Sequence, residues 1–273
     1  MTRIQYVSDL HLEFYKDGSP DTLFPELADP TTGADVLVLA GDIGYPEQEM
    51  TKEFIRWCCA RWPRVVWVYG NHEYYNKAPS YKWFRSTMPA LSMAEKEAAG
   101  AALAAECPQL TILQNSILRI APGLIIAGAT CWTDVSEKEG QDVLLYMNDF
   151  KYIKGDTPEG FPLSLEDWRG RHGASRQFLE TVLKRAAAAE DKVVVVTHHL
   201  PSFSMILKRY EGHPMNTGFA SHMDKLLKNP AVAAWICGHS HGSRSVGSCH
   251  LNARGYPGEL SQKEFQPAAV LEI

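Results

Sequence analysis

VVVVTHHLP, Val193 to Pro201, sets four consecutive valines ahead of two adjacent histidines. A continuous β-branched run of this length reads as a strand buried on both faces of a sheet. Packing gives such a strand no reason to end in imidazole. In open α/β sheets the carboxyl ends of strands are where ligands bind, so His198 and His199 mark a candidate site.

The pattern repeats along the chain. RIQYVSD, ADVLVLAGD, RVVWVYGN, LIIAGAT and AAWICGH are further short apolar runs of strand length. Helical candidates lie between them. EQEMTKEFIRWCCARW has apolar spacings of three and four and stops at Pro63. SLEDWRGRHGASRQFLETVLKRAAAAED opens on a Ser-x-x-Asp cap signal, although Gly170 and Gly173 weaken its first half. ASHMDKLLKN predicts a shorter helix closed by Pro230. Strands alternating with helices imply a layered α/β domain. No linker or repeat divides residues 1–273, so a single domain is expected. Residues 79–108, alanine-rich and broken by Pro89, predict a helical excursion, and 133–162 a long polar loop. Trp57, Trp62 and Trp67 are expected in the core.

Apolar residues make up 45% and charged residues 22%, with a net charge of −5, which suits a globular protein and disfavours one that wraps nucleic acid. Six cysteines form no C-x-x-C pair, and Cys58 and Cys59 are adjacent. Met1 leads straight into a strand without a basic region, apolar stretch and cleavage site, and no apolar run approaches a membrane span. Reduced thiols, a cytoplasmic location and no membrane association are the expectation.

The residues after each strand share a chemistry. YVSDLH supplies Asp9 and His11, VLAGDIG Asp42, VYGNHE Asn71 and His72, VTHHLP His198 and His199, and CGHSHG His239 and His241. Residues two apart in extended chain point the same way, which pairs Asp9 with His11 and His239 with His241. Six of the ten histidines fall in these blocks, which a solvated scatter would not produce. Gly41, Gly70 and Gly238 allow sharp turns and close approach. Any one strand-end Asp or Asn reads more readily as a turn former or helix cap. Carboxylate, imidazole and amide oxygen together suit a hard or borderline divalent ion, and the lack of thiolate argues against structural zinc. The set exceeds what one ion with an open position needs, so two ions sharing a carboxylate fit better.

The order D-x-H, G-D, G-N-H-E, strand-end histidine and G-H-x-H resembles the calcineurin-like metallophosphoesterases, from Asp9 to His241. NARGYPGE, after Leu251, resembles the return segment that follows their last histidine motif, and the likeness is greatest to single-domain bacterial members. The resemblance implies a four-layer α/β/β/α sandwich, two mixed sheets flanked by helices, with a dinuclear centre at the strand ends. It implies Asp9, His11 and His241 on one ion, Asn71, His198 and His239 on the other, and Asp42 between them. Manganese is favoured, with iron, zinc or nickel as alternatives. It implies hydrolysis of a phosphodiester or phosphomonoester of a small substrate by a hydroxide shared between the ions, with His72 as general acid. Position after the strand selects His198 as the ligand, although counting back from Pro201 would select His199; the other becomes a supporting donor.

One departure matters. The protein serine/threonine phosphatases carry an acidic residue three places after the G-D aspartate, then an arginine; here Tyr45 and Pro46 stand there. That weakens a protein-phosphatase reading and leaves His72 without a visible orienting partner. A nuclease would need a basic channel or an added binding region, and neither is visible. An inactive interaction module would have lost ligands that are present. His172, His213, His222 and His250 lack the strand-end context and read as surface or satisfied histidines, with lining of the substrate mouth the lesser alternative for His213 in EGHPMNTGF. Trp132, Asp134, Tyr146 and Asn148 lie in or beside the expected long loop, where packing or turn roles compete with substrate specificity.

Overall fold

The computed structural model describes residues 1–77, 90–157 and 159–273. Its strands are β1 (Arg3–Val7), β2 (Val36–Ala40), β3 (Val65–Val68), β4 (Leu110–Ile112), β5 (Ser116–Ala121), β6 (Leu124–Ala129), β7 (Lys192–Thr197), β8 (Val232–Cys237), β9 (Gly242–Val246), β10 (Cys249–Ala253) and β11 (Val270–Glu272). They form two mixed sheets. One runs β11-β1-β2-β3-β4 and the other β5-β6-β7-β8-β10-β9. The central pairs are parallel, and β11, β5 and β9 add antiparallel edges.

Strand periodicity of two explains why these strands are apolar throughout. Val36, Val38 and Ala40 face the other sheet and meet Ile126, Val194, Val196 and Ile236. Leu37 and Leu39 point outward, onto α2 (Glu49–Cys59) through Phe54 and Ile55, after a short α1 (Pro20–Leu23). Val193 and Val195 face the opposite way, with Leu179 and Leu183 of the long helix Leu165–Ala188. The layers are therefore helix, sheet, sheet, helix, as the motif order implies.

The remaining helices are α3 (Met93–Glu106), α4 (Glu137–Tyr146), α5 (Asp149–Tyr152), α6 (Leu165–Ala188) and α7 (Asp224–Leu227). Helix α3 lies within the expected excursion, while residues 79–89 of it, Pro89 among them, are outside the described residues. The long loop expected over 133–162 is corrected: Ser136 accepts from the amide of Glu139 in a capping box and starts α4. Gly170 and Gly173 do not interrupt α6, which is continuous from the Ser164–Asp167 box. ASHMDKLLKN shrinks to the single turn of α7. Trp57, Trp62 and Trp67 are buried, as expected.

Candidate metal centre

Both sheets present strand ends to one place. After β1, the amides of Asp9 and His11 donate to the carbonyls of Gly41 (2.9 Å) and Asp42 (3.0 Å). After β7 and β8, the Gly238 amide donates to the His198 carbonyl at 2.9 Å, and the His239 amide to the Asp9 carboxylate at 3.1 Å. Glu73 clamps the loops between, accepting from the amides of Asp42 (2.9 Å), Ile43 (2.7 Å) and Gly70 (2.7 Å) and from the Trp67 indole (3.2 Å). A Cβ on Gly70 would lie 2.1 Å from Asp42 Oδ1, and Gly41 adopts φ 88°. Asp9, His11, Asp42 and His239 all have φ between 53° and 68°. L-residues there cost about 1 kcal/mol or more each, and such outliers gather at functional sites.

Proton bookkeeping around the imidazoles decides what the site wants. His11 Nδ1 donates to Glu13 Oε1 at 2.9 Å, and His241 Nδ1 to Glu259 Oε2 at 2.5 Å. An ionised carboxylate can only accept, so each Nδ1 carries the proton and each Nε2 a lone pair. Those two Nε2 atoms face each other at 3.1 Å. Asp9 Oδ1 lies 3.5 Å from His241 Nε2, and Asp42 Oδ2 lies 3.9 Å from His11 Nε2. A second cluster repeats the pattern. His198 Nδ1 donates to the Ala40 carbonyl (2.9 Å), leaving Nε2 directed at Asn71 Oδ1 (3.1 Å) and Asp42 Oδ1 (3.3 Å). His239 Nε2 is buried without a partner. Potential ligand atoms of Asp9, His11 and His241 lie within 4.8 Å of one another, as do those of Asp42, His198 and His239. Clustered lone pairs call for cations. Without metal, protons take that place: burial alone would lower His198 and His241, but Asp42 holds the first up at about 9, and Asp9 and Glu259 the second at about 10.

The two members of the histidine pair part company. His198 joins Asp42 and Asn71, whereas His199 turns away, its Nδ1 donating to the Thr130 carbonyl at 3.1 Å. Its ring packs against His239, Trp132 and Trp168. Burial and the charge of His198 push it down to about 3, so it is a neutral support.

The family model of the calcineurin-like phosphoesterases matches residues 2–243. This chain belongs to that family. Uncharacterized protein L509 of Acanthamoeba polyphaga mimivirus is 28% identical over 291 residues, covering 100% of this chain and 97% of that protein. Among solved structures, the phosphopantetheinyl hydrolase PptH of Mycobacterium tuberculosis superposes with a TM-score of 0.65 at 16% identity, covering 95% of this chain and 94% of that one. TT1561 of Thermus thermophilus gives a TM-score of 0.53 at 14% identity, over 93% and 89%.

The calcineurin-like phosphoesterases are dinuclear metal-dependent hydrolases of phosphoesters, and the lone pairs gathered here fit a pair of divalent ions. In this phosphoesterase, His72 has the orienting partner that the G-D block lacks. Its Nδ1 donates to Glu13 Oε1 at 2.8 Å, Nε2 lies 3.0 Å from the Tyr256 hydroxyl, and the ring stacks on Tyr75 at 4.2 Å. Burial would lower His72, but Asp42 and Glu13 raise it to about 9. Glu13 itself resists burial through its contacts with His11 and His72 and falls to about 2.

The strand-end motifs do not reach Glu13, Tyr75, Asp149, Tyr256 or Glu259, and they include Glu73, the last residue of VYGNHE, without giving it a role. Glu259 and Tyr256 sit in NARGYPGE, a segment the motif order marks without giving their roles. Glu13 follows His11 by two residues, a spacing that could have found it. A cleft of about 390 Å³ opens over His72, His239 and His241. Tyr146, Asn148, Tyr210, Met215 and Phe219 line it. His213 is an exposed histidine that also lines the mouth of the cleft: its Nδ1 caps the following turn by accepting from the Met215 amide, and this holds it at the rim. Trp132 is core, packed on Trp168, and Asp134 accepts from the His222 amide. His172 is buried and satisfied at Nδ1 by the Cys131 carbonyl.

Proposed function

We propose that this phosphoesterase hydrolyses a small phosphomonoester or phosphodiester, with Asp9, His11 and His241 holding one divalent ion, Asn71, His198 and His239 a second, and Asp42 shared by both. The observation that carries this is the pair of Nε2 lone pairs on His11 and His241, turned toward each other by Glu13 and Glu259. When bound, a divalent pair supplies hydroxide near neutral pH and offsets phosphoryl charge. Manganese is the favoured metal, with iron, zinc or nickel as alternatives.

His72 faces the cleft at Nε2, and Asp42 and Glu13 favour its protonated form, so it can give a proton to the leaving oxygen. Tyr256 fixes the direction of that proton, while Tyr75 supports the ring from beneath. The aromatic and methionine lining of the cleft offers contacts to the organic half of a small ester. The free, buried cysteines support a reducing, cytoplasmic setting. No helix among the described residues is long and apolar enough to cross a membrane.

A panel of aryl and alkyl phosphomonoesters and diesters, assayed with Mn, Fe, Zn and Ni alongside metal analysis, tests the reading. Turnover with about two ions per chain is expected. A metal-loaded protein that cleaves none of them returns the chain to an interaction role, and binding to DNA that falls steeply with salt would favour a nuclease.

A further inference from the structure

Tyr75 sits where three demands meet. Its ring supports His72, its hydroxyl reaches Asp149 Oδ2 at 3.1 Å, and Asn71 Nδ2 reaches the same hydroxyl at 3.3 Å. Its backbone carbonyl accepts from the buried ammonium of Lys96, at 2.8 Å, reaching over from α3. The next residue, Asn76, is tied to Leu91 and Tyr152. The phenol is held from several elements, more firmly than an isolated core tyrosine requires.

Proton direction gives this arrangement a purpose. A phenol has one proton, and the Asp149 carboxylate can only accept it. With that proton committed, the Tyr75 oxygen can only accept from Asn71, so the amide must turn its NH₂ toward Tyr75. The other end, Oδ1, then faces His198 Nε2 and Asp42. A flipped amide would aim two N–H donors at a place built for a cation.

Resting on the hydrolase reading above, we propose that Tyr75, anchored by Asp149, is a positioning residue that fixes the Asn71 amide with its carbonyl oxygen toward the second metal. Asp149 belongs to the same segment as Asn148 and Tyr146 of the cleft wall, so the group that anchors the ligand is continuous with the surface that meets substrate. The outer partners of a metal ligand commonly set affinity by about 10- to 100-fold.

The test is a binding experiment in the absence of substrate, titrating the purified chain with Mn²⁺. Tyr75→Phe keeps the ring under His72 and removes only the hydroxyl. It should weaken one of the two sites by about tenfold or more and leave the other unchanged, and Asp149→Ala should weaken the same site. Asn71→Asp supplies the discriminating background, because a carboxylate presents oxygen in either orientation. Adding Tyr75→Phe there should leave the affinity unchanged. An equal loss in both backgrounds, or no loss in the first, would overturn the proposal alone. A wild-type chain that binds no pair of ions would overturn it together with the hydrolase reading.

Discussion

One oxygen of Glu13 accepts from His72 at 2.8 Å, and it is the same oxygen that takes the Nδ1 proton of His11 at 2.9 Å. A single carboxylate thus sets the tautomer of a proposed metal ligand and, with Asp42, supports the charge of the proposed acid.

Removing that carboxylate's charge should therefore change the pH profile as well as the rate. His72→Ala is expected to lower kcat by about 10²- to 10⁴-fold on alkyl esters, and less on aryl esters whose leaving group needs no proton. In the wild type the acid works while His72 is protonated, so activity should show an alkaline limb where His72 loses its proton. Glu13→Gln should move that alkaline limb to lower pH. A limb that stays in place when Glu13 is changed would remove His72 from the acid role.

Chelation should expose a second pH dependence. In the metal-free protein, carboxylates outweigh burial and hold His72 and His198 at about 9 and His241 at about 10. An unfolded histidine titrates near about 6.5. These groups bind protons more tightly when folded, so their stabilisation is complete below that value and is lost as pH rises through 9 and 10. Glu13, lowered to about 2, has the opposite sense and acts only in acid. The Tm of the chelated protein should decline across the alkaline range, and Mn²⁺ should restore it with release of protons. A flat alkaline Tm after chelation would contradict the proton inventory.

Gly70→Ala should abolish loading of the centre. The added methyl would sit 2.1 Å from Asp42 Oδ1 and 2.7 Å from His198 Nε2, leaving no room for either. Metal analysis of the purified variant checks this. Two bound ions in Gly70→Ala would show that the strand ends lie farther apart than described.

Gly170→Ala and Gly173→Ala make the opposite case. Both glycines are on α6, and a Cβ at either would meet nothing within 4 Å. Each substitution should raise stability by about 0.5–1 kcal/mol, the usual gain of alanine over glycine inside a helix. Denaturant midpoints measure it, and a loss would mean that the first half of α6 is held by something other than its own helical bonds.

The central strands were legible because burial on both faces leaves an uninterrupted apolar signature, as in Val36–Ala40 and Val193–Val196. The edges were not. Strand β5 is half exposed and alternates, β9 is the polar GSRSV, and β4 and β11 are three residues each, too short to show a period. Helix α4 hid because Ser136 and Glu139 look like polar loop until their mutual capping is seen. The candidate metal ligands and His72 share a strand-end position, which short-range spacing can reveal. Glu13 apart, their partners do not: Glu259 meets His241 across 18 positions, Tyr256 meets His72 across 184, and only folding brings them together.

The imidazole of His198 grips the Ala40 carbonyl, so a side chain from one sheet is fastened to the backbone of the other. Asp9, Asp42 and Asn71 come from the first sheet, and His198, His239 and His241 from the second. An ion seated among them would act as a rivet between two layers whose interior contact is otherwise largely apolar. Stripping it should quicken amide hydrogen exchange at the carboxyl tips of β1, β2, β7 and β8 while the opposite ends stay protected, which would make the proposed metal centre a mechanical fastener for the sandwich.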